Sequence, residues 1–200
     1  MEFKYYDVLS GLVVGYVLLI CILFCFRIEY DENYTLAYIA CGFALGYVIN
    51  AIASLLEPFY FFTIGGKPSS KLLESDDKKK GYTGIKKVRF YHSEEVKRRL
   101  CDELNDESAS ADKLFSKAMI YANSAADSRI PDFNAHYAYS RTFLTMVLIM
   151  TIMIIVSFPN KWVSYLMLLL LLLCWNRYRE RAYYYAREVL NEYIKQTIKK

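Results

Sequence analysis

Three side chains able to do chemistry interrupt an otherwise apolar run from Leu36 to Phe62: Asn50, Ser54 and Glu57. With Gly42 and Gly46 they recur at spacings of four, four, four and three residues, which puts all five on one face of a helix. A carboxamide, a hydroxyl and a carboxylate on such a face have two uses. They can hydrogen-bond a neighbouring helix and hold a bundle together. Alternatively, several copies of the helix surround an aqueous path, and Glu57 supplies a ring of carboxylates near its cytoplasmic mouth. One chain has little room for such a path, so the pore use requires a homo-oligomer. The opposite face, with Leu45, Ile49, Ile52 and Leu56, is expected to meet lipid.

The elements that must carry this stripe follow from composition. The chain has 200 residues, 55% of them hydrophobic, gathered into four blocks rather than spread at the period of a soluble core. We therefore expect an all-α, four-helix integral membrane protein with a cytoplasmic helical layer. Residues 1–63 form a transmembrane hairpin with spans at about 8–26 and 35–62, and residues 141–175 form a second, with spans at about 142–158 and 162–175. Residues 64–140 make a cytoplasmic helical loop domain, and 176–200 a cytoplasmic amphipathic helix.

Charge sets the orientation. With the amino terminus inside, all but Arg27 and Lys161 of the 25 Lys and Arg are cytoplasmic, and the outer loop from Ile28 to Tyr34 carries Glu29, Asp31 and Glu32. Both termini are thus expected in the cytoplasm. The first block is longer than a signal-peptide core and lacks a small-x-small cleavage site, so it reads as a retained helix. Gly11 and Gly15 give it a GxxxG spacing, matched by Gly42 and Gly46 on the second span, although the register does not require the two pairs to meet. Pro58 cannot donate to the carbonyl of Ser54 and predicts a kink or break, and Gly65, Gly66 and Pro68 end the helix. Trp162 and Trp175 bracket the fourth span as membrane-interface residues, followed by Arg177. The six leucines from Leu168 to Leu173 make it the most lipid-facing helix, and its shortness demands mild bilayer thinning or a slide of register.

In the loop domain Lys71 to Lys80 is a charged linker whose basic triplet, Lys78 to Lys80, reads as solvated. Ile85 to Tyr91 is expected to be a short extended segment. Ser93 is expected to cap a helix running through Leu104 with Val96, Leu100 and Leu104 on one face. A second helix, about Ser110 to Ala126, presents Leu114, Ala118, Tyr121, Ala122 and Ala125. Pro131 opens a helix that runs on into the third span, crossing into lipid at Arg141. In the last helix Tyr178, Ala182, Tyr185, Val189 and Tyr193 form a stripe that packs on the protein's own cytoplasmic helices.

The remaining chemistry is sparse. The five cysteines, Cys21, Cys25, Cys41, Cys101 and Cys174, avoid the outer loops and suggest neither a disulfide framework nor a metal site. Gly65 to Ser70 lacks the spacing of a phosphate loop. No cofactor is called for, nucleic-acid binding is not indicated, and the expected partners are membrane lipid, further copies of the chain and a cytoplasmic protein. Arg129 and His136, in the run Arg-Ile-Pro-Asp-Phe-Asn-Ala-His, are the weak catalytic candidates. In the structural alternative, Arg129 and Asp132 form a local cap or ion pair and His136 packs at a helix interface. Their spacing resembles the Arg-x(4 to 6)-His signature of HEPN ribonucleases, except that Ile130-Pro131 follows the arginine. Together with the four-span layout, it also resembles the small membrane proteins of bacterial antiphage systems, including the accessory proteins of type VI-B CRISPR effectors. That resemblance implies a bacterial inner-membrane location, homo-oligomerisation and membrane permeation during infection. The sequence-level expectation is therefore an oligomeric, non-enzymatic pore gated through its cytoplasmic helices. The alternatives are a non-conducting anchor or sensor and a membrane-tethered ribonuclease.

Overall fold

The computed structural model describes residues 5–74, 88–124 and 128–198. Among them the regular elements are helical: α1 (Tyr5–Phe26), α2 (Thr35–Thr63), α3 (Pro68–Leu73), α4 (Ser93–Leu104), α5 (Ala111–Ser124), α6 (Ile130–Ser157) and α7 (Trp162–Ile198). A single 3-10 turn lies at Glu32–Tyr34. The all-α expectation holds, but a count of four is too low. Six of these helices have twelve residues or more, because the polar loop domain builds α4 and α5 in addition to the apolar helices.

The stretch Glu32–Leu73, which contains α2, and Ile130–Ser157 are long and apolar enough to cross a membrane. Their apolar windows are 22% and 39% buried, whereas a core helix of a soluble protein would be mostly buried. The chain divides into two compact units, one of Met1–Pro58 with Ala138–Tyr178 and one of Phe59–Tyr137 with Arg179–Lys200.

The first unit centres on Val14, Leu18 and Cys21 of α1, Ile49 of α2, Met146, Val147 and Ile154 of α6, and Met167 of α7. Its turns are closed by local chemistry. Arg27 adopts a left-handed φ of 57° and Ile28 N–H reaches back to Leu23 O at 2.9 Å, ending α1. Asn160, at φ 58°, turns the chain between α6 and α7. There Ser164 Oγ donates to Phe158 O at 2.8 Å.

The two GxxxG pairs do meet. A Cβ on Gly15 would run into the backbone carbonyl of Gly42 and the amide of Gly46, and a Cβ on Gly46 would strike the carbonyl of Gly11. α1 and α2 therefore touch through their backbones, which only residues without side chains at those points allow. This contact also corrects the expected lipid face. Ile49 is 3% exposed and belongs to the core, with Ile52 packed against it. The outward side chains of α2 in this unit are instead Leu36, Tyr47, Val48 and Leu55, the last 80% exposed.

Pro58 does not break α2, which runs on to Thr63. The turn beyond the proline is closed by Gly65 N–H to Phe62 O at 3.0 Å and Gly66 N–H to Phe61 O at 2.7 Å. Both glycines have positive φ, and Lys71 Nζ donates to Ile64 O at 3.0 Å, capping the exposed carbonyl end. Pro68 then serves at the first position of α3.

In the second unit α3, α4 and α5 pack on one another, burying Leu72, Leu73, Val96, Leu100, Leu114 and Ala118. The α7 stripe is buried as expected at Ala182, Val189 and Tyr193, and Tyr185 is half-buried. Tyr193 Oη donates to Glu103 Oε1 at 2.9 Å, and its ring meets Tyr121 edge-on at 5.4 Å. Tyr185 stacks on Tyr137 at 5.6 Å. Burial, and then the Glu103 carboxylate, push the Tyr193 hydroxyl well above the ordinary tyrosine range. The predicted span of α4 is met, although Ser93 is its buried first residue and His92 occupies the cap position without a side-chain capping bond. At α5 Ser110 Oγ accepts from Lys113 N–H at 3.4 Å. Lys78 to Lys80, Ile85 and Ala125 lie outside the described residues.

Candidate functional site

Most of the polar stripe of α2 is engaged by α6. Arg141 Nη1 donates to Glu57 Oε2 at 2.5 Å, and Arg141 Nη2 to Ser54 Oγ at 2.9 Å. One residue on, Thr142 Oγ1 lies 3.0 Å from Asn50 Oδ1 and 3.0 Å from Ala138 O, so its single proton is shared between a side chain and its own helix. Ser54 Oγ in turn lies 3.1 Å from Asn50 O. Rising numbers on α6 meet falling numbers on α2, as antiparallel helices require.

The pair at the centre is largely withdrawn from solvent: the side chains of Arg141 and Glu57 are 13% and 26% exposed. A guanidinium and a carboxylate at that burial are stable only as partners, because removing one leaves the other charged and desolvated. The planar fork of Arg141 suits this geometry, since one side chain reaches a carboxylate and a hydroxyl a turn apart. Asn50 and Ser54 remain exposed on the rim of the contact.

Sequence reasoning placed Arg141 at the membrane boundary without making it the partner of Glu57. The signal was present: opposite charges stand at the same end of two antiparallel apolar helices. It also passed over the threonines of α6. Thr142, Thr145 and Thr151 are all buried, and each donates to the carbonyl four residues back. Thr151 Oγ1 also lies 3.5 Å from Met167 O on α7.

The other candidates sit elsewhere. Gly11, Gly15, Gly42 and Gly46 form the α1–α2 contact described above. Trp162 is 73% exposed, Trp175 is half-buried and Arg177 is exposed, all on α7. Arg129 lies just before α6 and His136 within it, and both are exposed. The Arg129 guanidinium covers the Phe133 ring at 5.4 Å instead of making the expected pair with Asp132. Among the described residues no group of three or more His, Cys, Asp or Glu could hold a metal ion.

The class these observations define is an all-helical protein with two helices long and apolar enough to cross a membrane and an ion-paired polar contact between them. No protein-family model, curated protein or solved structure matches the chain.

Proposed function

We propose that this protein is a multi-pass membrane anchor or sensor that conducts nothing and presents its second, helical unit to a cytoplasmic partner. In this reading α1, α2, α6 and α7 each cross the bilayer, both termini are cytoplasmic and the host membrane is a bacterial inner membrane. The observation that carries it is the engagement of Glu57 and Ser54 by Arg141 and of Asn50 by Thr142. A carboxylate neutralised by a guanidinium of its own chain is poorly suited to a selectivity ring, whereas the same pair suits a bundle that must hold its shape. Helical packing by α3, α4 and α5 gives the second unit a structured surface, on which Lys97 and Arg98 are exposed.

The exposure of Asn50 and Ser54 favours a second reading, in which several copies gather these rims around a polar path. That is the pore the antiphage resemblance implies. Membrane potential in bacterial cells separates the two. On the anchor reading the wild type leaves the potential intact, with any genomic neighbour co-expressed. Depolarisation by the wild type, abolished in Asn50→Leu with Glu57→Gln at matched membrane levels, would overturn it in favour of the pore.

A further inference from the structure

The four apolar segments of the first unit differ in length. At about 1.5 Å per residue, the helix from Thr35 to Glu57 in α2 rises about 33 Å, and from Asp7 to the end of α1 about 28 Å. Both match a hydrocarbon core of about 30 Å. From Arg141 to Ser157 α6 rises only about 24 Å, and from Trp162 to Trp175 α7 rises about 20 Å. Tilting a short helix shortens its reach further. Sliding α7 along its neighbour is opposed by the contacts of Ser164 with Phe158 O and of Thr151 with Met167 O. α6 is fixed against the long α2 by the Arg141–Glu57 pair. The outward surface of the short hairpin is apolar, with Val156, Leu169, Leu172 and Leu173 exposed. It ends at Lys161 and Trp162 on one side and at Trp175 and Arg177 on the other.

We propose that the α6–α7 surface is matched to a bilayer about 20 to 24 Å thick in its hydrocarbon, so that the protein gathers short-chain lipid or thins the membrane beside that hairpin alone. The proposal rests on the membrane-spanning reading above. Long side chains at Lys161 and Arg177 recover part of the mismatch by reaching outward to the headgroups.

The two tryptophans of the chain both lie on α7, so their fluorescence reports the lipid beside this helix. The full chain is reconstituted in phosphatidylcholines with monounsaturated chains of about 14 to 22 carbons, and each lipid is competed against a brominated quencher lipid. Insertion is scored separately by resistance to alkaline extraction. The expected result is insertion throughout, with relative lipid affinity at α7 greatest at about 14 to 16 carbons and falling at least twofold by about 22. Asn176→Leu with Arg177→Leu, which lengthens the apolar segment, should move the maximum to longer chains. Insertion with a flat profile, or with a maximum at about 18 carbons or more, would overturn the thickness match while leaving the membrane reading standing. Extraction from every bilayer would overturn both.

Discussion

α2 is held to α1 and to α6 by opposite means. Against α1 it presents glycines, and the two backbones touch; against α6 it presents Asn50, Ser54 and Glu57, and the helices are joined by long side chains. The first contact has no spare volume and no charge. The second has side chains that can adjust in length but not in sign. Packing of the first kind should fail on any added bulk, and packing of the second on the loss of one charge. Gly15→Leu tests the first claim most severely, because the atoms in its way are backbone of Gly42 and Gly46, which cannot rotate aside. We expect it to destabilise the first unit by about 3 kcal/mol or more, read as the midpoint of unfolding by SDS in mixed micelles. A near wild-type midpoint would mean that the α1–α2 contact is not closed in the folded protein.

The second contact should show coupling instead. Arg141→Ala or Glu57→Ala leaves a partly buried charge behind; with both side chains partly exposed, the loss should fall below the range for a fully buried pair, at about 2 kcal/mol. The double substitution should cost less than the two single losses together, by about 1 kcal/mol or more. Additive losses would show that the two charges do not act as a pair. Thr142→Val, which removes the bond to Asn50 together with the one to Ala138 O within α6, is expected to cost about 0.6 kcal/mol, typical of hydrogen bonds between helices in bilayers.

This difference also marks what could be read from the sequence. α2 is legible almost to the residue, from Thr35 to Phe62 against an observed end at Thr63, and α4 ends at Leu104 as expected but starts one residue early, with His92 and not Ser93 at the cap. Unbroken apolar runs and regular spacing are local signals, and glycines with positive φ close the chain where they stand. Pairing is not local. Glu57 and Arg141 stand 84 positions apart, and only the antiparallel topology brings them level. The lipid face of α2 departs from its sequence pattern for a related reason. Regular spacing puts the glycines and the polar residues on one stripe, but Gly42 and Gly46 face α1 while Asn50, Ser54 and Glu57 face α6. Two neighbours side by side cover a wider arc of α2 than one, which draws Ile49 into the core. Pro58 illustrates a third limit. A proline removes one backbone bond, but the helix beyond it is fixed by the glycine turn and by Lys71, neither of which the proline itself reveals.

The smallest expected effect sharpens the glycine contact from within. Gly11 and Gly46 meet through different atoms: Gly11 offers its carbonyl, whereas the missing Cβ of Gly46 is what makes room for that carbonyl. A Cβ on Gly11 itself would have nothing within 4 Å. Gly11→Ala therefore adds no clash and gains helix propensity, so its unfolding midpoint should match the wild type or exceed it by about 0.5 kcal/mol. Gly46→Ala adds the same methyl group with the same gain in propensity, yet should destabilise, because the methyl meets backbone. Equal effects at the two positions would mean that α1 and α2 pack in another register, since a general need for glycine in this pair of helices predicts no asymmetry between them.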